Sequence, residues 1–244
     1  MINITPFCSL ESLCPYLGDR PSRTEYLYIK GCNKPLNSIL VKRGYRRFGR
    51  YFQKPICANC NECISVRIDA FKFKSSKSQR RVIRKNQHIR FAYHTPFADE
   101  ERVELFKKYH KFKSLQREWK YYDINVYKYY DLYILGYLDF GKEISYYDEN
   151  GKLICVDLVD ITDDGLSSVY CYYDPEYLNL SLGKFSLLNE IEIAKKLNLR
   201  WIYLGYYIKN CQSLEYKKDF LPQEKLKEYV DFDKEPIWEE FKIQ

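Results

Sequence analysis

The chain has 244 residues, 45% of them apolar, which suffices for one large or two small domains with a substantial core. No stretch approaches the roughly 18 apolar residues of a membrane span, and residues 1–8 lack the basic and apolar regions of a secretion signal, so the expectation is a globular, cytoplasmic protein with no membrane partner. Nine cysteines in such a chain favour free thiols and metal ligands over a disulfide framework.

The net charge of +7 is unevenly placed. Residues 26–98 hold 17 Lys and Arg against Glu62 and Asp69 alone, a balance of +15, so the other residues together carry −8. A cationic lobe beside an acidic remainder suits a bound polyanion, because each neutralised phosphate releases counterions. A solvated Lys and Arg surface is the plainer explanation.

In chain order, residues 1–25, with Pro6, Pro15, Gly18 and Pro21, read as an irregular arm tied down through Cys8 and Cys14. Residues 36–43 suit a short helix closed by Gly44. Gly44 and Gly49 then bracket Tyr45-Arg46-Arg47-Phe48, a turn or hairpin carrying paired guanidinium groups. Cys57, Cys60 and Cys63 follow at C-x2-C-x2-C spacing, which lets a short loop aim thiolates at one zinc ion or iron–sulfur cluster. Cys14 is the best fourth ligand, with Cys8 and Cys32 behind it; buried thiols acting as small hydrophobes are the alternative. Val66 and Ile68 alternate with Arg67 and Asp69 in a strand that anchors this loop.

Ser78 then heads a helix through Asn86 that presents Arg80, Arg81, Arg84 and Lys85 on nearby faces as candidates to meet a polyanion, and Asp99-Glu100-Glu101 opens a second helix with Val103, Phe106, Tyr109 and Phe112 in i, i+3 steps. Residues 114–135, rich in Tyr and Lys, fit no element. Residues 143–147, 152–160 and 166–173, joined by Asn150-Gly151 and Asp164-Gly165 turns, form a β-meander. Asp174-Pro175 ends it, residues 182–197 make an amphipathic helix, and 201–208 an apolar strand. The class expected is α/β (α+β): a GCN5-related acetyltransferase-like acyl-transfer core over 99–244, preceded by a cysteine-containing basic lobe over 1–98. Between Asp174 and Lys184 only Gly183 stands where coenzyme A needs clustered glycines, so no coenzyme A or other nucleotide cofactor is expected.

Many short stretches, in order, carry a family resemblance. They are Cys14-Pro15-Tyr16-Leu17, Gly44-Tyr45-Arg46-Arg47-Phe48-Gly49, the spaced cysteines leading into Val66-Arg67-Ile68, and Ser78-Gln79-Arg80-Arg81; then Tyr170-Cys171-Tyr172-Tyr173-Asp174-Pro175, Ser181-Leu182-Gly183-Lys184-Phe185, Tyr203-Leu204-Gly205-Tyr206 and Tyr216-Lys217. Nearly end to end, the chain resembles the bacterial leucyl-tRNA–protein transferases of the N-degron pathway. The resemblance implies transfer of leucine from leucyl-tRNA to the N-terminal Asp or Glu of a protein, which marks that protein for degradation. Arginyl transfer, the work of longer eukaryotic relatives, is the alternative. A non-enzymatic, zinc-stapled RNA-binding module is the rival class, and it leaves the second lobe without work. Gly18, Phe48, Ser65 and Leu214 depart from the family pattern, and none of them removes a charged or sulfur group.

Such a reaction is attack of an α-amine on an activated ester. With a pKa of about 7.7 to 8.0, roughly 10 to 15% of the amine is already neutral at pH 7, so placement counts for more than a strong base. Asp174 is the first candidate to engage the amine, a turn-forming Asp before proline being its alternative. Tyr172 and Tyr206, with Tyr203, line the aminoacyl site and order the leaving ribose hydroxyl, unless they only fill a tyrosine-rich core. The resemblance offers Arg46, Arg47, Arg67 and Lys217 to read the acidic side chain, adds Lys184 to the substrate set, and leaves Arg46 and Arg47 equally suited to tRNA phosphate.

Overall fold

The computed structural model describes residues 1–117, 121 and 123–242. The N-terminal arm is not irregular: β1 (Asn3–Cys8), a short ribbon of β2 (Ser12–Leu13) and β3 (Pro21–Ser22), and β4 (Thr24–Lys30) follow one another, with β1 antiparallel to β4. Pro6 misled the sequence reading because β1 is an edge strand, where a missing N–H is tolerated. α1 (Lys34–Lys42) starts where Asn33 accepts the Leu36 amide and Pro35 fills the first turn. It ends at Arg43 and Gly44, whose φ of +82° and crowding by Tyr229 and Ser65 leave no room for a side chain.

The expected hairpin forms from β5 (Arg46–Phe48) and β6 (Tyr51–Pro55), giving a four-stranded sheet in the order β1-β4-β6-β5. Alternation along β5 sends Arg46 and Arg47 to opposite faces, so their guanidinium groups are not paired. β7 (Ile64–Asp69) leaves this sheet for a larger one. α2 (Lys77–Lys85) is headed by Ser76 and not Ser78: Ser76 Oγ accepts the Gln79 amide at 3.3 Å and Gln79 Oε1 accepts the Ser76 amide at 2.8 Å, a reciprocal capping box.

β8 (Arg90–His94) and α3 (Glu100–Arg117) come next. Of residues 114–135, residues 118–120 and 122 lie outside the described ones; α4 (Val126–Tyr129), capped by Asn125, runs into a π-helical turn at Tyr130–Ile134. The meander is as expected, in β9 (Gly141–Tyr147), β10 (Leu153–Ile161) and β11 (Gly165–Tyr173). α5 (Leu182–Lys196) then crosses over to β12 (Trp201–Tyr207), which lies parallel to β11. β13 (Gln223–Leu226) and β14 (Trp238–Phe241) complete a mixed α/β architecture around a sheet in the order β14-β13-β7-β12-β11-β10-β9-β8. Those last two strands carry too little apolar alternation to be read from sequence.

This sheet draws strands from both sides of residue 98. Side chains alternate along β10: Cys155 belongs to the core packed by Phe185, Leu188 and Ile191 of α5, whereas Val156 and Leu158 meet Val103, Phe106 and Tyr109 of α3. Among the described residues no helix is long and apolar enough to cross a membrane.

Candidate active site

The parallel strands β11 and β12 pair over three steps, Gly165 with Trp201, Leu166 with Ile202 and Ser167 with Tyr203, and the pairing then stops. Side chains take over beyond that point. Lys217 Nζ donates to the carbonyls of Leu204, at 2.8 Å, and Tyr206, two residues apart and therefore on one edge of β12. Arg46 Nη2 donates to the Val169 carbonyl of β11 at 3.2 Å. Gly205, at φ +68°, lies against this guanidinium; a Cβ there would meet Arg46 Cδ at 2.5 Å, so only glycine lets the side chain rest on β12.

The two cations differ in what they can do. Lys217 is 4% exposed, and burial, with Arg46 close by, pulls its pKa well below the ordinary lysine value. It therefore wedges the strands apart and cannot receive an acidic side chain. Arg46 is half-buried and has no ion-pair partner among the described residues. Its charge acts on Tyr16 and Tyr206 on one side and on Tyr216 on the other.

On that other side a cavity of ≈ 370 Å³ opens at the head of α5, lined by Cys171, Tyr173, Ser181, Gly183, Lys184 and Tyr216 among others. Three separate stretches of the family resemblance meet there. No side chain caps the first turn of α5, whose amides favour an anion, and Lys184 adds a cation held only by an exposed contact to Asp219 at 3.0 Å. The hydrogen bond of Cys171 with Cys155 and its burial push its thiol well above the ordinary value, which disfavours the thiolate.

Beside this cavity lies a pair the sequence did not reveal. Asp157 of β10 and Glu190 of α5 are 1% and 3% exposed, and accept from Ser186 and Ser168 at 2.5 Å each. Burial raises Asp157 to about 6, and burial plus the Asp157 charge raises Glu190 well above its usual range. Neither stands in a motif; Asp157 interrupts an apolar strand and Glu190 reads as an ordinary helix surface residue.

Several expected site residues have other work. Asp174, 1% exposed, binds Lys108 at 2.7 Å and Lys152 at 2.9 Å and caps the turn Pro175–Leu180 through the Glu176 amide at 3.0 Å. Burial pushes its carboxyl up, but those lysine bonds outweigh burial and hold it below the ordinary value. It lines neither the cavity at α5 nor the crevice at Arg46, and with Lys108 and Lys152 it borders a separate open pocket of ≈ 540 Å³. Tyr172 is fully buried with its hydroxyl 2.6 Å from that of Tyr129. Tyr203 donates to Asp164, and Tyr206 to the Gln53 carbonyl at 3.1 Å. Arg67 binds Glu224 at 2.6 Å and stacks 3.8 Å from the Trp201 ring. Arg47 is locked to Asp160 by two contacts of 2.7 Å. Of the residues expected to bind substrate, Lys184 thus borders the cavity of ≈ 370 Å³, whereas half-buried Arg46 and Tyr203 border a crevice of ≈ 10 Å³.

The cysteine pocket adjoins Arg46 through Tyr16 and Tyr206, and the basic helix is tied through Gln79 to the Asp219 carbonyl, beside Lys184. Arg80, Arg81, Arg84 and Lys85 are exposed on α2. Cys14, Cys57, Cys60 and Cys63 line one pocket of ≈ 150 Å³ together with Tyr16 and Tyr206. Burial and the neighbouring Cys14, Cys57, Cys60 and Cys211 push the Cys63 thiol up to about 12. Among the described residues, however, no three His, Cys, Asp or Glu side chains close to metal-binding distance. The Arg23 amide meets Cys57 Sγ at 3.5 Å instead.

Arg46, Lys184 and the exposed basic face of α2 together present cations that suit anionic partners. The family model described as arginine-tRNA-protein transferase, N terminus, matches residues 12–81, and its C-terminal counterpart matches residues 101–227. The chain belongs to this family. It is 52% identical over 96% of its length to an aspartate/glutamate leucyltransferase of Campylobacter jejuni, covering 98% of that protein, and 35% identical over 98% of each chain to one of Helicobacter hepaticus. The solved structure of L-PGS from Bacillus licheniformis aligns with a TM-score of 0.46 at 13% identity, covering 81% of this chain and 60% of that one.

Proposed function

We propose that this transferase moves leucine from leucyl-tRNA to the N-terminal Asp or Glu of proteins and so creates a destabilising N-terminus. The observation that carries this reading is the 52% identity, across nearly the whole chain, to relatives named for that activity. The α-amine of the acceptor attacks the ester carbonyl carbon, a C–N bond forms, and the ribose oxygen leaves with the amine's proton. Arg46 holds the acceptor's acidic side chain, the cavity at the head of α5 takes the leucyl ester, and Lys184 steadies a neighbouring phosphate. Holding the partners together supplies several kcal/mol, up to about 7 to 11 in favourable cases, with no covalent enzyme intermediate.

The core follows the element order of a GCN5-related acetyltransferase, meander, helix and parallel strand, here serving a tRNA-borne acyl group and not coenzyme A. The stretch 1–98 acts as the tRNA-facing lobe and 99–244 as the catalytic lobe, and the enzyme works in the cytoplasm, where charged tRNA is made. The sulfur-only donor set Cys14, Cys57, Cys60 and Cys63 suits zinc or an iron–sulfur cluster as a staple of the loop before β7. Elemental analysis of anaerobically purified protein should then find about one zinc ion or cluster per chain, and none in a variant with Cys57 and Cys60 changed to serine.

Purified enzyme given leucyl-tRNA or arginyl-tRNA and peptides starting with Asp, Glu, Asn, Gln or Lys should leucylate Asp and Glu peptides alone. Arginine entering faster would overturn the donor assignment, and tRNA binding without transfer would restore the RNA-binding module. Replacing Arg80 and Arg84 by Gln should weaken tRNA binding whatever amino acid it carries. The slope of log affinity against log salt should fall by roughly one to two.

A further inference from the structure

The first sheet has one face that is only partly covered: Phe48 packs on Tyr133, and Tyr26 and Gln53 line the cysteine pocket, while Phe7 and Tyr51 stand in the open. The side of β4 carrying Leu27 and Ile29 packs with Phe52 and Leu40 in a buried core. Its other side carries Tyr26 and Tyr28, and strand register extends that side into two rows. One row reads Phe7, Tyr26, Gln53, Arg46; the next reads Thr5, Tyr28, Tyr51, Phe48. Phe7 stacks on Tyr26 at 5.1 Å, and Tyr28 leans on Tyr51 at 5.1 Å. Phe7 is nevertheless 44% and Tyr51 41% exposed, so two large rings end a continuous aromatic patch in water.

Alternation puts Glu25 on the covered side, where it meets Tyr45, and no carboxylate stands on the open side of these four strands. Exposed Lys30 lies 5.9 Å from the Tyr28 ring, and Arg23 is exposed beside the patch. Aromatic rings on an acid-free sheet face, rimmed by cations, take unpaired nucleotides by stacking while the cations meet phosphate. The first row also has a direction. It runs from Phe7 at the sheet edge through Gln53, whose carbonyl Tyr206 binds, to Arg46 at the opening between β11 and β12. Three inter-strand steps of about 4.8 Å span about 14 Å, room for roughly four stacked nucleotides at about 3.4 Å each.

We infer that this face, through Phe7, Tyr26, Tyr28 and Tyr51, is a stacking platform for single-stranded RNA that leads the unpaired 3′ end of the donor tRNA to Arg46. This rests on the tRNA-dependent reading above and adds the path by which the ester reaches the site. The test uses uncharged tRNA, intact or trimmed of its unpaired 3′ nucleotides, with the full-length enzyme and its Phe7→Leu and Tyr51→Leu variants, each checked by thermal melting. Two exposed positions are used so that one folded variant suffices. Wild type should bind intact tRNA roughly five-fold or more tighter than trimmed tRNA, and either variant should lose most of that difference while binding trimmed tRNA as wild type does. An undiminished difference in a folded variant would overturn the platform. So would weakened peptide binding with tRNA binding unchanged, which would make the face a protein-docking surface. Because uncharged tRNA is the probe, failure of leucyl transfer itself would be seen separately, in the peptide assay.

Discussion

Replacing Arg46 by glutamine should cut the enzyme's preference for Asp over Asn at the acceptor's first position by roughly 10- to 150-fold in kcat/KM, the equivalent of one charge-assisted contact of about 1.5 to 3 kcal/mol. The guanidinium is half-buried, bonds only the Val169 carbonyl, and has no carboxylate partner among the described residues. An acidic side chain supplies the missing charge; an amide leaves the guanidinium without it. Arg46→Lys should keep part of the preference, since the charge survives but the planar fork does not. Gly205→Ala should move selectivity the same way, because its Cβ would displace the side chain it now supports. Equal losses on every acceptor, together with weaker tRNA binding, would instead make Arg46 a phosphate ligand.

Local signals carried much of the fold. The Asn150-Gly151 and Asp164-Gly165 turns fix the meander, and the apolar stripe of α5 marks the crossover. Side-chain roles were harder, because a distant partner decides each of them. Arg46 and Arg47 are neighbours with the same chemistry, and only strand parity against Asp160, 113 residues away, separates a free guanidinium from a buried one. Asp174 before Pro175 reads alike as a catalytic carboxylate or a cap until Lys108 and Lys152 are seen to hold it. Lys217 looks like a receptor for acids, yet it spends its donors on two strand carbonyls. The pairing of Asp157 with Glu190 has no local signature, since it arises from a crossover helix laid on a strand.

Arg47→Ala should destabilise the protein by about 3 to 5 kcal/mol, the usual cost of leaving one buried partner of an ion pair alone, which for a chain of this length lowers Tm by roughly 6 to 20 °C. The side chains of Arg47 and Asp160 are 3% and 1% exposed, joined by two parallel bonds of 2.7 Å, and the guanidinium also donates to the Gly49 carbonyl and lies over Phe140. Asp160 belongs to β10 of the large sheet and Arg47 to β5 of the small one, so this pair docks the two sheets. Replacing both residues, Arg47→Met with Asp160→Leu, should recover most of the lost stability, because no charge then remains buried without a partner. It should not recover full transfer. Arg46 sits next to Arg47 on the same strand, and a misplacement of about 1 Å at a positioned group lowers rate by up to about 100-fold. A double variant with both wild-type melting and wild-type Asp selectivity would show that the sheets hold Arg46 in place without this pair.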